Sequence, residues 1–143
     1  MFFRRYRTFV ILVLVFAILI SLIFFFQKIK RDELNNQLAK VKLQSLRVGT
    51  GMSNGVLGTA IFGVINNKGE KIVSIAEMNV EFLNENGEAS KVHKFFPVNK
   101  FSFTESLPLK PGQSREFGFP IDDIVPEDWD GTFKAKLTEI ILK

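Results

Sequence analysis

Apolar residues run from Thr8 to Phe26, TFVILVLVFAILISLIFFF, with no charge among them. A helix of that length spans roughly 28 Å at about 1.5 Å per residue, close to the ~30 Å hydrocarbon core of a bilayer. Within lipid a single span must satisfy its backbone polar groups internally, so the run is predicted to be helical. Thr8 and Ser21 can bond their hydroxyls back to the helix backbone. A cleaved secretory signal has a shorter apolar stretch, about 7–15 residues, followed by small residues. Here Gln27-Lys28-Ile29-Lys30 follows, so the run reads as an uncleaved anchor.

The pattern changes after the run. From Gln27 to about Lys42, Leu34, Leu38 and Val41 recur at i, i+4 and i+7, one face of a helix. This reads as a juxtamembrane stalk; the alternative, a short parallel coiled coil between copies, has fewer than two heptads behind it. A first strand is expected near Leu43–Val48. Glycines 49, 51, 55, 58 and 63 then punctuate residues rich in β-branched and aromatic side chains. Val56–Asn66 is apolar on both faces and ends at the turn signal Asn67-Lys68-Gly69. Ile72–Leu83 alternates: Ile72, Ala76, Met78, Val80 and Phe82 on one face, Glu77, Asn79 and Glu81 on the other. Asn84–Gly87 closes a hairpin onto Ala89–Phe96. Leu107–Gly112, with two prolines, reads as a rigid crossover. Arg115–Ile121 turns Phe117, Phe119 and Ile121 inward. Trp129 is placed to cap the core, and Thr132–Leu142 forms the last strand, with Phe133, Ala135 and Leu137 on one face.

Six or seven strands at this spacing predict an all-β, immunoglobulin-like antiparallel sandwich, preceded by one transmembrane helix and a short helical stalk. The expected organisation is a basic segment 1–7, a transmembrane helix 8–26, a stalk 27–47 and a β-sandwich domain 48–143.

Net charge is +4, but its distribution removes the nucleic-acid reading that this value invites. Arg4, Arg5, Arg7, Lys28, Lys30 and Arg31 flank the span with no acid among them. From Asp32 onward thirteen basic residues face fifteen acidic ones. The flanks can meet anionic headgroups. They do not fix orientation, because three cations lie on each side and Lys40 and Lys42 add to the C-terminal count. The chain has no cysteine, which excludes disulfides, thiolate metal sites and a lipoprotein anchor.

Three segments, GTAIFGVINNKG (58–69), VEFLNENG (80–87) and LKPGQSREF (109–117), resemble the bacterial FxLYD-type β-sandwich domains. Those domains pair a G-x-(V/I)-x-N-x-G strand, a V-x-F-x-(D/N)-x-x-G hairpin and an L-x-P-G-x-(S/T)-x-x-F strand. Phe82-Leu83-Asn84 stands at the place of the name-giving element. The resemblance covers Gly58 to Ile121. It implies an extracytoplasmic domain, often anchored by one helix, with no enzymatic chemistry, and it transfers no functional residues. It is the ground for expecting the C-terminal domain outside the plasma membrane.

Candidate chemistry is sparse. GTGMSNG lacks the spacing of a phosphate loop and reads as the entry into a strand. His93, the one histidine, has Lys91, Val92, Lys94 and Phe95 as neighbours and no base or ligand partner. Asp122, Asp123, Glu127, Asp128 and Asp130 could offer oxygens to a hard cation, although the order of a calcium loop is not followed. Phe95, Phe96, Phe101 and Phe103 are the candidate partner surface, with Lys94, Lys100 and Glu105 as its rim. Phe95 and Phe96 are adjacent, so one of them must leave the core face unless Pro97 bends the strand.

The sequence therefore predicts a single-pass membrane protein, not an enzyme, with no cofactor and no metal. Its partners are membrane lipid and another envelope protein, or a second copy through the stalk; nucleic acid is not among them. The alternative is an extracytoplasmic module that binds a small ligand or cation through the acidic loop 122–130.

Overall fold

A computed structural model describes residues 2–53, 55–101 and 107–143, with side chains described from Phe9 onward except at Ser53. Helix α1 covers Phe2–Lys40. Its most apolar 18 residues have a mean hydropathy of 3.4 and none of them is buried, so it is long and apolar enough to cross a membrane. Ser21 Oγ donates to the Ala17 carbonyl at 2.9 Å, which satisfies the one hydroxyl in mid-span. The chain divides into two compact units, Met1–Asn36 and Gln37–Lys143, and the last turn of α1 belongs to the second.

The second unit carries six strands among the described residues: β1 Val41–Ser53, β2 Val56–Asn67, β3 Val73–Leu83, β4 Ala89–Asn99, β5 Ser114–Pro120 and β6 Phe133–Leu142. They form two antiparallel three-stranded sheets, ordered β1-β2-β5 and β4-β3-β6, packed as a β-sandwich. The strand expected near Leu43–Val48 is present but starts earlier, at Val41, so the sheet takes residues 41–47 from the expected stalk of 27–47. Val41 is 3% exposed, which withdraws it from the stalk face it was read to share with Leu34 and Leu38.

The core joins both sheets. Ile61 from β2 meets Met78, Val80 and Phe82 from β3, Phe95 from β4, and Ile121. The alternation read in β3 holds at Ala76, Met78, Val80 and Phe82, all 0% exposed. Trp129 does cap this core, edge-on to Phe82 with ring centroids 5.7 Å apart.

Leu43 and Val48 both pack against the core although they lie five positions apart, an odd spacing. A regular strand would put them on opposite faces. A bulge corrects the phase: Gln44 pairs with Val64 and Arg47 with Phe62, leaving Ser45 and Leu46 opposite Gly63. Ser45 takes the left-handed conformation at φ 53°. A Cβ on Gly63 would lie 2.6 Å from Phe117 Cζ and 2.8 Å from Leu46 Cδ2, so the absent side chain is what admits those two.

Where the chain enters the sandwich, its elements converge on Asn67, which is 0% exposed. Its Nδ2 donates to the carbonyls of Lys71 (2.8 Å) and Leu109 (3.0 Å). Its Oδ1 accepts from the Gly69 amide (3.0 Å) and from Gln37 Nε2 (3.2 Å). Its backbone exchanges bonds with Gly112 and Gln113. Gln37 is buried in turn, with Nε2 also donating to the Lys71 carbonyl and Oε1 accepting from the Glu70 amide. Gly69 makes room for it: a Cβ there would sit 2.0 Å from Gln37 Nε2.

An unpartnered buried polar group costs about 1–3 kcal/mol. Asn67→Ala leaves the Gly69 amide unpartnered and takes one of two donors from each of the Lys71 and Leu109 carbonyls, and is expected to lower domain stability by about 1–3 kcal/mol. Gly69→Ala, which expels Gln37, should cost about 1–3 kcal/mol. Denaturant unfolding of the full chain in detergent, followed by fluorescence of the single Trp129, checks both. Asn67→Asp should be worse than Asn67→Ala at neutral pH, since a carboxylate faces two carbonyls, and should recover on acidification.

Candidate interaction surfaces

The phenylalanine segment divides. Phe95 is a core residue, 8% exposed, stacked on Phe119 at 4.7 Å and flanked by the His93 ring at 4.8 Å. The expected four-ring surface is therefore corrected at Phe95. The register shift between Ala76 and Met78 places Phe96 and Pro97 beside Glu77 without a partner of their own; Phe96 points outward, at 42% exposure, by ordinary alternation from Phe95, and the bulge returns Val98 to the core. Phe101 is 70% exposed, with Lys100 Nζ 4.9 Å from its ring centre. Phe103 and Glu105 fall outside the described residues. Lys94, expected at the rim, instead pairs with Glu77 at 2.9 Å on the outer face of the β4-β3-β6 sheet.

That pair sets a titration. The Lys94 hydrogen bond, then the Thr138 hydroxyl at 2.9 Å, hold the Glu77 carboxyl below its ordinary value against a smaller opposing effect of burial. The outer face of this sheet thus carries the Glu77–Lys94 pair beside the half-exposed Phe96.

The opposite sheet presents a surface that sequence reasoning missed. Phe62 lies flat over glycines: a Cβ on Gly51 would meet its ring at 2.9 Å and one on Gly118 at 3.0 Å. The Arg47 guanidinium stacks 4.8 Å from the ring centre. Beside it lies a groove of about 590 Å³, lined in part by Met52, Val56, Thr59, Phe62, Pro120 and Asp123. Met52, Val56 and Leu57, near the hairpin tip, are 74%, 69% and 68% exposed. The signal in the sequence was Met52 and Val56-Leu57 flanking Asn54-Gly55, apolar residues on either side of a tight turn.

Strand β1 is also an edge, pairing only with β2 among the described residues. The other three edges carry the devices that deter strand addition. β4 has Lys91, Lys94 and Pro97, β5 has Arg115, Glu116 and Pro120, and β6 has Lys134 and Lys136. Beyond Arg47, β1 reads VGTGMS, without charge or proline.

The acidic loop uses three of its five carboxylates internally. Both oxygens of Asp122 accept from the Thr59 amide (3.1 and 2.9 Å), in space that Gly58 leaves open. Asp128 accepts from the Ser90 hydroxyl. Asp130 accepts from the Thr132 amide and hydroxyl, which hold its carboxyl below the ordinary value. Among the described residues no group of three or more His, Cys, Asp or Glu side chains is placed to hold a metal ion. Lys28, Lys30 and Arg31 are exposed on α1; Arg4, Arg5 and Arg7 lie in its first turns, where side chains are not described.

Phe95→Ala should cost about 3 kcal/mol of domain stability, whereas Phe96→Ser should change it by about 0.5 kcal/mol or less; the same unfolding measurement separates them. Glu77 has a depressed folded value, so its stabilisation is complete above the unfolded value of about 4.3 and is lost as pH falls through the folded one. Lys94→Met should move the Glu77 carboxyl back up toward its ordinary value in an NMR titration and flatten that acid-side loss.

Comparison with known proteins finds no matching family model, no matching curated protein and no matching solved structure.

Proposed function

We propose that this chain is a single-pass protein of the bacterial plasma membrane whose immunoglobulin-like sandwich lies on the extracytoplasmic side and acts, without catalysis, as an interaction or structural module of the envelope. The observation that carries this reading is the bare apolar face of α1, on which no residue of the most apolar stretch is buried. Exposure of that much apolar surface on all sides calls for lipid. The resemblance to FxLYD-type domains supports the outward placement.

The mechanism is tethering. A span confines the sandwich to a thin layer, which raises its effective concentration toward neighbours in the same membrane. Contact is made by strand addition at the uncharged half of β1, where main-chain groups supply affinity and the adjoining groove supplies specificity.

Absence of cysteine makes single-cysteine variants unambiguous. Val56→Cys, at the exposed hairpin tip, should react with a membrane-impermeant maleimide in intact cells. Reaction only after lysis would put the sandwich in the cytoplasm and end the envelope reading. A photo-crosslinking residue at Thr50 should trap a discrete neighbour, and one at Lys136 should not; equal yields at the two positions would remove β1 as the contact.

A further inference from the structure

The strand directions sort the sandwich's connections into two ends. β1 starts and β2 ends where the chain enters the domain. The 68–72 connection, residues 100–101 and 107–113, and Lys143 lie at that end, with the Lys100 amide on the Ser74 carbonyl (3.2 Å), the Lys143 amide on Ile72 (2.9 Å) and Leu109 bridged to Val73. The 84–88 and 121–132 connections and the β1–β2 hairpin lie at the other, joined by the Leu83 carbonyl accepting from the Asp130 amide (3.0 Å).

Charge separates the same way. The entry end carries Lys68, Lys71, Lys100, Lys110 and Lys143, all exposed, beside the Lys40–Glu70 pair at 3.3 Å. Glu105 belongs to the same connection as Lys100 and Lys110 but falls outside the described residues. The far end carries Glu85 and Glu88 in one connection, five carboxylates between Asp122 and Asp130 in the other, and no basic residue in either. Two large apolar side chains accompany the lysines: Phe101 at 70% exposure and Leu107 at 75%.

We infer that the entry end of the sandwich is a lipid-binding face for anionic headgroups, with the lysines on phosphate and Phe101 and Leu107 entering the interfacial layer. This rests on the reading that α1 crosses a bilayer. Lysines around exposed aromatic and aliphatic side chains are the composition of surfaces that sit in a membrane interface. Ten residues of α1, Gln27–Asn36, separate the apolar run from the sandwich, a helical length of about 15 Å. Headgroup layers extend about 5–8 Å beyond the hydrocarbon and a lysine side chain reaches about 6 Å, together about 11–14 Å, so the entry end comes within range of phosphate when the helix tilts within the ordinary range of about 0–40°, which shortens its rise to about 11–15 Å. The seven carboxylates at the far end are repelled by the same surface, so charge sets which end faces lipid.

The test uses the full chain in nanodiscs of phosphatidylcholine, alone or mixed with phosphatidylglycerol. Nitroxides are attached singly through Ile18→Cys, Leu107→Cys and Val56→Cys, and collision with oxygen and with a water-soluble nickel complex is measured. The Leu107 label should lose nickel access by about twofold or more when phosphatidylglycerol is present and regain it in high salt, while the Val56 label stays aqueous. Lys68→Gln with Lys110→Gln should abolish the change. A lipid-like Ile18 label with a Leu107 label indifferent to phosphatidylglycerol overturns the inference and leaves the anchor intact. A response at Val56 instead of Leu107 also overturns it. Protection of Leu107 in native membranes but in neither nanodisc would assign the face to an acidic protein and overturn the lipid assignment. An aqueous Ile18 label would mean that the anchor reading itself has failed.

Discussion

Asn67 is the residue on which the sandwich's assembly most depends. Two antiparallel sheets need three crossings between them, and each crossing exposes backbone groups that no ladder can satisfy. At the entry end one buried amide closes several of these at once. It donates to Lys71 and Leu109, accepts from Gly69 and Gln37, and clips the 110–113 turn through its own backbone. All four hydrogen-bonding capacities of its side chain are used, which is the condition under which a buried polar network fixes one arrangement instead of destabilising it. Gln37 extends the network into the last turn of α1, so helix gives way to strand at Lys40–Val41 without a loop.

The second constraint is phase. A strand that must keep one face in the core cannot change parity without a bulge. β1 does so at Ser45–Leu46 and β4 at Phe96–Pro97. The first brings both Leu43 and Val48 to the core. The second brings both Phe95 and Val98 to the core, with Phe96 outward between them. Gly63 completes the first bulge by leaving its volume to Leu46 and Phe117.

These same features shape the surface. Bulges, lysines and prolines occupy three of the four sheet edges, and the distal half of β1 has none of these, beside a groove floored by glycine and the Phe62 ring. Loops of opposite charge gather at opposite ends because strand direction alternates along the chain. The proposed outward module with a basic, lipid-facing end and an open strand edge draws on both.

Much of this was legible in the residues alone. Unbroken apolarity from Thr8 to Phe26 specifies a helix fit to span, since length and hydropathy act locally. Strict alternation in β3 specified its buried face, since a period of two admits one solution there. The pairing of Phe95 with Phe96 announced that one must leave the core. The tertiary structure alone decided which one left, that β1 begins at Val41, that Asn67 is a hub and not an exposed turn residue, and that three of the five carboxylates of 122–130, Asp122, Asp128 and Asp130, bond Thr59, Ser90 and Thr132. Each depends on groups far apart in sequence whose hydrogen bonds or volumes must fit one another, and local periodicity carries no record of such partners.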